Sequence, residues 1–454
     1  MSKGGDNCNV ASPIFSPAGW GDNYSDANPS PFDKGGPRGI LSMNAVGLIT
    51  EYNPFHNGHL HHLRESLRLA GAEISVAVMS GHFLQRGEAA LADKWLRART
   101  ALAAGVDLVV EIPFPFACNS APHFASGALR LLDALGASSL CFGSEAGELA
   151  PLQEAAGHLE RDKERIEAQI RRRLCLGESY PAARAGVLAT EGLGEGAVAA
   201  LRSPNNILGI EYLRAIAANG SNIRPLAIPR IGSGYHEQRE SEGIASATGI
   251  RARIAEGRPW EHLLPRQGAT LLAQALERGL GAQKERFFSA LMGRLLPGEE
   301  ALCGLYQADG GSLRRLCNAA LEAVSVDDLV ERAAQKQLTR TRIRRMLVYA
   351  LLGVKSEMGG YLECGPLYLR LLGASKRGEA YLGKRRDSLG LPLIHQMPKA
   401  KKALRRFYGE DGKCRQAAEM LALDCRATRL YSLLMPGFSK HRNRDFFEEV
   451  IRGG

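Results

Sequence analysis

The chain has 454 residues, 45% of them hydrophobic and 23% charged, with a formal net charge of +10. Such a chain can bury a full core and form two or three soluble domains. No apolar run reaches the length of a membrane span, and no secretory signal is expected at the N-terminus.

Residues 1–42 are rich in Gly, Ser, Pro, Asn and Asp and read as a disordered extension, with Met43 just before the first strand. AVGLIT then reads as a strand and HNGHLHHLRESLRLAG as a helix ended by Gly71. ISVAVMS is a second strand, DKWLRARTALAAG a second helix and DLVVEIP a third strand. HFASGALRLLDALG and SSLCFGSE add another helix and a fourth strand. Continuous apolar strands alternating with helices indicate a buried parallel sheet. Residues 151–200 read as a charged helical insertion, followed by the helix PNNILGIEYLRAIAANG, the strand IRPLAIPRI and the helix ASATGIRARIAEG. After Gly257 no clear strand remains, and ATLLAQALERGL, KERFFSALMGRLL, VDDLVERAAQKQ and RIRRMLVYALLGV all have helical spacing. The expected fold is α/β. A Rossmann-like parallel-sheet domain spans 43–257, and a mainly α-helical basic domain spans 258–454.

Nine cysteines are scattered without a CxxC pair. That argues against a disulfide framework and a zinc site, so no protein-ligated metal is expected, and reduced thiols point to the cytoplasm. Charge is placed unevenly: Glu331 to Gly454 holds 26 Lys and Arg against 12 Asp and Glu. Clusters fall at Arg340, Arg342, Arg344 and Arg345, at Lys376 to Arg386, and at Lys399 to Arg406, with Phe407 and Tyr408 adjacent. Either this part binds a polyanion, or its helices carry solvated basic faces.

His56-Asn57-Gly58-His59 lies where the first strand turns into the first helix. Two histidines three apart share a helix side, and the first turn offers free N–H groups and a partial positive charge. Gly58 lets a ligand approach the backbone. Phosphate suits all three features, the alternative being paired histidines on an ordinary helix. In an open parallel sheet, ligands bind beyond the carboxyl ends of the strands, so the segments after each strand converge on one crevice. Ser246, Thr248 and Arg251 in SATGIR are candidate phosphate contacts, or else a Ser cap with a surface arginine. Lys94 and Arg86, near the second strand's end, could add positive charge or serve structure.

The HNGH run matches the HxGH motif of the nucleotidyltransferase superfamily, whose members pair it with a late segment that SATGIR resembles. More specifically, EYNPFHNGHLHHL, AVMSGHFLQRGEAAL, DKWLRART, GVDLVVEIPF, CFGSEAG, SPNNILGIEYL and IASATGIR resemble, in order, the bacterial tRNA(Met) cytidine acetate ligase family. YLRLLGASKRGEAYL extends the likeness more weakly. The resemblance implies an ATP-dependent ligase that forms acetyl-adenylate from acetate. It then acetylates N4 of the wobble cytidine of elongator tRNA(Met), giving N4-acetylcytidine. It implies His56 and His59 as catalytic residues, with Mg2+ expected alongside ATP. ATP contacts carried over are Ile49, Thr50, Glu51, Tyr52, Asn53, Pro54, Phe55, His56, Asn57, Gly58, His59, Leu60, His61 and His62. Gly143, Asn205, Arg230 and Ile231 complete them, although Asn205 could also be a helix cap. His61 departs from the family's frequent aromatic and receives no individual role. The basic part then acquires tRNA as its polyanion, with Arg344, Arg345, Arg385, Arg386 and Lys402 as candidate contacts. The competing enzyme reading is an adenylyltransferase acting on a small phosphorylated metabolite. A third reading is an RNA-binding protein with a relic nucleotide fold.

Overall fold

The computed structural model describes residues 43–145, 147–161, 163–178, 180–230 and 244–453. Residues 1–42, expected to be disordered, lie outside the described residues.

Five parallel strands build the first part: β1 (Ala45–Thr50), β2 (Ile74–Ser80), β3 (Leu108–Ile112), β4 (Ser139–Ser144) and β5 (Arg224–Pro229). Between them run α1 (Asn57–Ala70), α2 (Lys94–Ala103), the short α3 (Phe114–Ala117) and α4 (Ala121–Leu135). The expected insertion is four helices, α5 (Ala150–Arg161), α6 (Lys163–Cys175), α7 (Tyr180–Thr190) and α8 (Glu195–Ala200), followed by α9 (Pro204–Ala218). Beyond β5 come α10 (Ala247–Ala255), α11 (Arg266–Glu277), α12 (Lys284–Leu295), α13 (Gly310–Glu322), α14 (Val326–Ala333), α15 (Arg340–Leu352) and α16 (Met358–Cys364).

The expectation of no strand after Gly257 is overturned. β6 (Leu369–Ala374) lies antiparallel against β3, and β7 (Leu393–Ile394) and β8 (Ile451–Arg452) pair with β6. The sheet order is β5-β4-β1-β2-β3-β6-β7, with β8 also on β6. All six residues of β6 are buried. LRLLGA is short and interrupted by Arg370, so it shows neither strand alternation nor enough apolar length to be told from a buried helix by periodicity. Around these strands lie α17 (Lys376–Arg385), α18 (Ala400–Tyr408) and the long α19 (Gly412–Ser432).

Strand order reverses at β1. The chain builds β2 and β3 on one side of it and β4 and β5 on the other. Such a switch point opens a crevice at the carboxyl ends, and α1 starts there. Both sheet faces are covered, one by a core that includes Val76, Val78, Leu129 and Leu132, the other by one that includes Leu48, Met79, Leu63 and Trp95. A separate core around Leu316, Leu347 and Tyr349 gathers the later helices. A buried ionic cluster joins these parts. The Lys94 ammonium lies 2.7 Å from Glu111 and 2.9 Å from Asp445, and Arg370 stands 3.7 Å from Asp445. Lys94 is fully buried, so of its two sequence readings the structural one holds. Among the described residues all eight cysteines are free of disulfides, and no helix is long and apolar enough to cross a membrane.

Candidate active site

β1 delivers the chain into a turn whose residues are fixed from outside. The buried guanidinium of Arg97 on α2 donates to Glu51 O at 2.7 Å and Ser80 O at 3.0 Å, so one side chain clamps the ends of β1 and β2. Glu51 Oε1 accepts from Gln85 N at 2.8 Å. Asn53 Oδ1 accepts from Leu91 N at 2.7 Å, and Asn53 O accepts from Arg251 at 2.8 Å. Asn57 donates to His262 O at 3.1 Å. Tyr52 adopts φ 47°, a left-handed conformation that a bulky residue holds only when its surroundings impose it. Burial of the Tyr52 and Phe55 rings supplies that constraint.

Both rings pack on His59, with centroids 5.0 and 5.6 Å away. His56 and His59 stack at 3.7 Å. The His56 backbone N–H donates to His59 Nδ1 at 3.3 Å. An accepting Nδ1 puts the ring proton on Nε2, which makes His59 a neutral donor. A Cβ at Gly58 would stand 2.9 Å from His56 Cε1, so glycine here makes room for the histidine ring as well as for a ligand. His56 Nδ1 and His62 Nε2 are buried and make no hydrogen bond within the described protein. Burial lowers the His56 pKa to about 3 and that of His62 to about 4, with Arg230 adding to both. His59 is held well below its ordinary value by burial, then by His56, His62 and Arg230. These are neutral histidines.

Arg230 belongs to the opposite wall. It donates to Asn205 Oδ1 at 2.8 Å, and Asn205 in turn donates to Glu145 Oε1. The Glu145 carboxylate also accepts from Asn206 N at 3.0 Å, while Asn206 Oδ1 accepts from Ser144 Oγ at 2.7 Å and Glu145 N at 2.9 Å. Asn205 is therefore a bridge and not the cap, which falls on Ser203. A Cβ at Gly143 would lie 3.1 Å from Arg230 Cγ, so the strand end must stay bare for this arginine to cross it.

Ile49 to His62, Gly143, Asn205 and Arg230 thus gather at the switch point. Ile231 lies outside the described residues. Ser246 does cap α10, accepting from Gly249 N at 3.1 Å. Arg251 spends its guanidinium on Asn53 O, on Thr248 Oγ1 at 3.3 Å and on Glu88 at 3.5 Å. SATGIR thus braces the turn that leads into HNGH. Arg86 remains exposed, its charge reaching Glu51. Glu145 lies in the segment after β4 that the strand-end rule brings to the crevice, but its bonds, like the roles of Arg97 and Asn206, appear only through partners far along the chain.

Donor N–H groups at the start of a 14-residue helix, ring nitrogens and a cationic wall form a cradle for a phosphate chain. Residues 43–445 match the HIGH Nucleotidyl Transferase family model. A tRNA(Met) cytidine acetate ligase of Syntrophotalea carbinolica is 51% identical over 413 residues, covering 90% of this chain and 99% of the relative. The chain belongs to the tRNA(Met) cytidine acetate ligase family. The Bacillus subtilis ligase is 36% identical over 405 residues, covering 86% and 92%. The crystal structure of Thermotoga maritima TmcAL bound with alpha-thio ATP superposes with a TM-score of 0.83 at 33% identity, covering 90% of this chain and 99% of that one.

The basic candidates sit on separate elements. Arg344 pairs with Asp327 at 2.8 Å and Arg345 is half-buried beside it on α15. Arg385 lies over the Tyr381 ring at 5.0 Å, and Arg386 follows α17 on the surface. Lys402 is exposed on α18, near the 48%-exposed Phe407. Tyr408 is committed to Leu367 O at 2.9 Å.

Proposed function

We propose that the chain is the ATP-dependent ligase that acetylates N4 of the wobble cytidine of elongator tRNA(Met). The observation that carries this reading is one crevice holding the stacked histidines against Arg230, in a chain so similar to these ligases. A carboxylate oxygen of acetate attacks the α-phosphorus of ATP. The bond to the bridging oxygen breaks, and diphosphate leaves with that electron pair. The cytidine N4 then attacks the acetyl carbon, loses a proton and expels AMP. Nε2–H of His59, the first-turn N–H groups and Arg230 stabilise charge on the phosphoryl oxygens. Mg2+ would ride on the phosphate oxygens, its preferred hard ligands. Residues 43–257 would perform activation and 258–454 would hold tRNA, with the enzyme in the cytoplasm among its substrates.

The test incubates the protein with ATP, labelled acetate and bulk tRNA. Label in N4-acetylcytidine supports the reading. A dinucleotide formed from a phosphorylated metabolite would replace it with the adenylyltransferase, and tight tRNA binding without turnover with an inert RNA binder.

Two further outcomes are expected. Since the histidines are already neutral, kcat/KM for ATP has no histidine limb between about pH 5 and pH 8, where free-enzyme pKa values would appear. A fall below about pH 6.5 that is lost in His59→Gln would contradict the neutral pair. Reversing Arg385, Arg386 and Lys402 together to Glu weakens tRNA binding and flattens its salt dependence, because fewer counterions are released. Acetate-dependent diphosphate exchange without tRNA persists in that variant, and equal loss in both assays would refute the division of labour.

A further inference from the structure

A second polar cleft, of about 390 Å³, contains none of the histidines and is lined by Ser120, Gln307, Ala308, Asp309, Arg342 and Arg345. Arg342 and Arg345 stand one turn apart on α15 and so share a side of it. Arg342 is preset, its Nη2 donating to Gln307 O at 2.9 Å. Arg345 is half-buried, and its Nε makes no hydrogen bond among the described residues, so the guanidinium edge on the cleft side remains available to an anion.

This cleft is tied to the histidine crevice by a short chain of hydrogen bonds. Glu51 in the β1 turn holds Gln85 N. Gln85 Nε2 donates to Asn119 O at 3.0 Å, and Gln307 Nε2 donates to Asn119 Oδ1 at 3.3 Å. Gly87 of the same loop lies so close to α15 that a Cβ there would overlap the backbone of Arg344 and Arg345. The loop after β2 therefore touches both sites. Asp309 on the cleft wall accepts from Ser312 N at 2.7 Å and stays ionised. Two arginines and one carboxylate leave a single net positive charge, which matches one phosphodiester and disfavours a di- or triphosphate.

We infer that this cleft is a phosphate subsite for the anticodon arm. It seats one backbone phosphate on Arg345 and Arg342 and so sets how far the loop stands from the acyl-adenylate. The inference rests on tRNA acetylation being the reaction. Arg345→Gln and Arg342→Gln are compared with the wild type for tRNA acetylation against salt, for acetate-dependent diphosphate exchange and for thermal melting. Each raises the KM for tRNA about tenfold or more, as expected for a lost charge-assisted contact. Each also makes the log–log salt slope shallower by about 0.7–0.9. Diphosphate exchange stays within about threefold, since binding of ATP and acetate is untouched. Arg340→Gln removes the same charge from the outer surface, where Arg340 pairs with Glu331 at 2.5 Å, and moves KM by less than about twofold.

An anticodon stem-loop carrying single neutral methylphosphonate linkages identifies the phosphate. One linkage reproduces the Arg345→Gln loss and adds nothing to it when the two are combined. An unchanged KM, a parallel fall in exchange, an equal effect of Arg340→Gln, or additivity at every linkage would overturn the subsite. Failure of the parent reading looks different: the wild type itself would exchange diphosphate yet leave tRNA unacetylated.

Discussion

Replacing His59 with alanine lowers acetyl-adenylate formation by on the order of 10²–10³-fold, the range for losing one preorganised donor to a developing charge. His59 is aimed by more than its own helix. Tyr52 and Phe55 close on its edges, the His56 ring stacks on its face, and the His56 N–H occupies Nδ1. His56→Ala removes both the stacking partner and the buried Nδ1, and its loss is of the same order. Acetate-dependent exchange of labelled diphosphate into ATP reads the step directly. Near-normal exchange in both variants would remove the pair from the mechanism. A rise in KM for ATP with unchanged kcat would reduce their role to binding.

Lys94→Ala is expected to destabilise the protein by about 3–5 kcal/mol, because it strips the shared cation from Glu111 and Asp445 and leaves buried carboxylates facing each other. Arg370, at 3.7 Å from Asp445, compensates only in part. Burial and the Asp445 charge already push the Glu111 carboxyl above its ordinary value, whereas Lys94 and Arg370 hold Asp445 below its own. The midpoint of urea unfolding measures the loss. A change under about 1 kcal/mol would mean that water reaches the cluster and screens it.

The parallel sheet and the HNGH turn were legible because their signals are local. AVGLIT, ISVAVMS and DLVVEIP are apolar without alternation, and the histidines fall at a strand–helix junction. The opposite wall was only partly legible. Gly143, Asn205 and Arg230 came from family likeness, while Glu145 and Asn206, which orient them, carry no local mark. Lys94 could be read either way because its partner Asp445 lies 351 positions along the chain. β6 is hidden for a similar reason, since pairing with β3, far back along the chain, and with the short β7 and β8 is what distinguishes it from a buried helix.

That same separation bears on how the protein is made. At about 5–20 residues per second, ribosomes need roughly 20–70 s to travel from Lys94 to Asp445. β3 keeps an open edge until β6 emerges, and Lys94 lacks its Asp445 counterion for the whole interval. The nascent sheet thus cannot be finished while its first five strands emerge. It completes its core only after nearly the whole polypeptide has been synthesised, and until then depends on shielding of that edge from other chains.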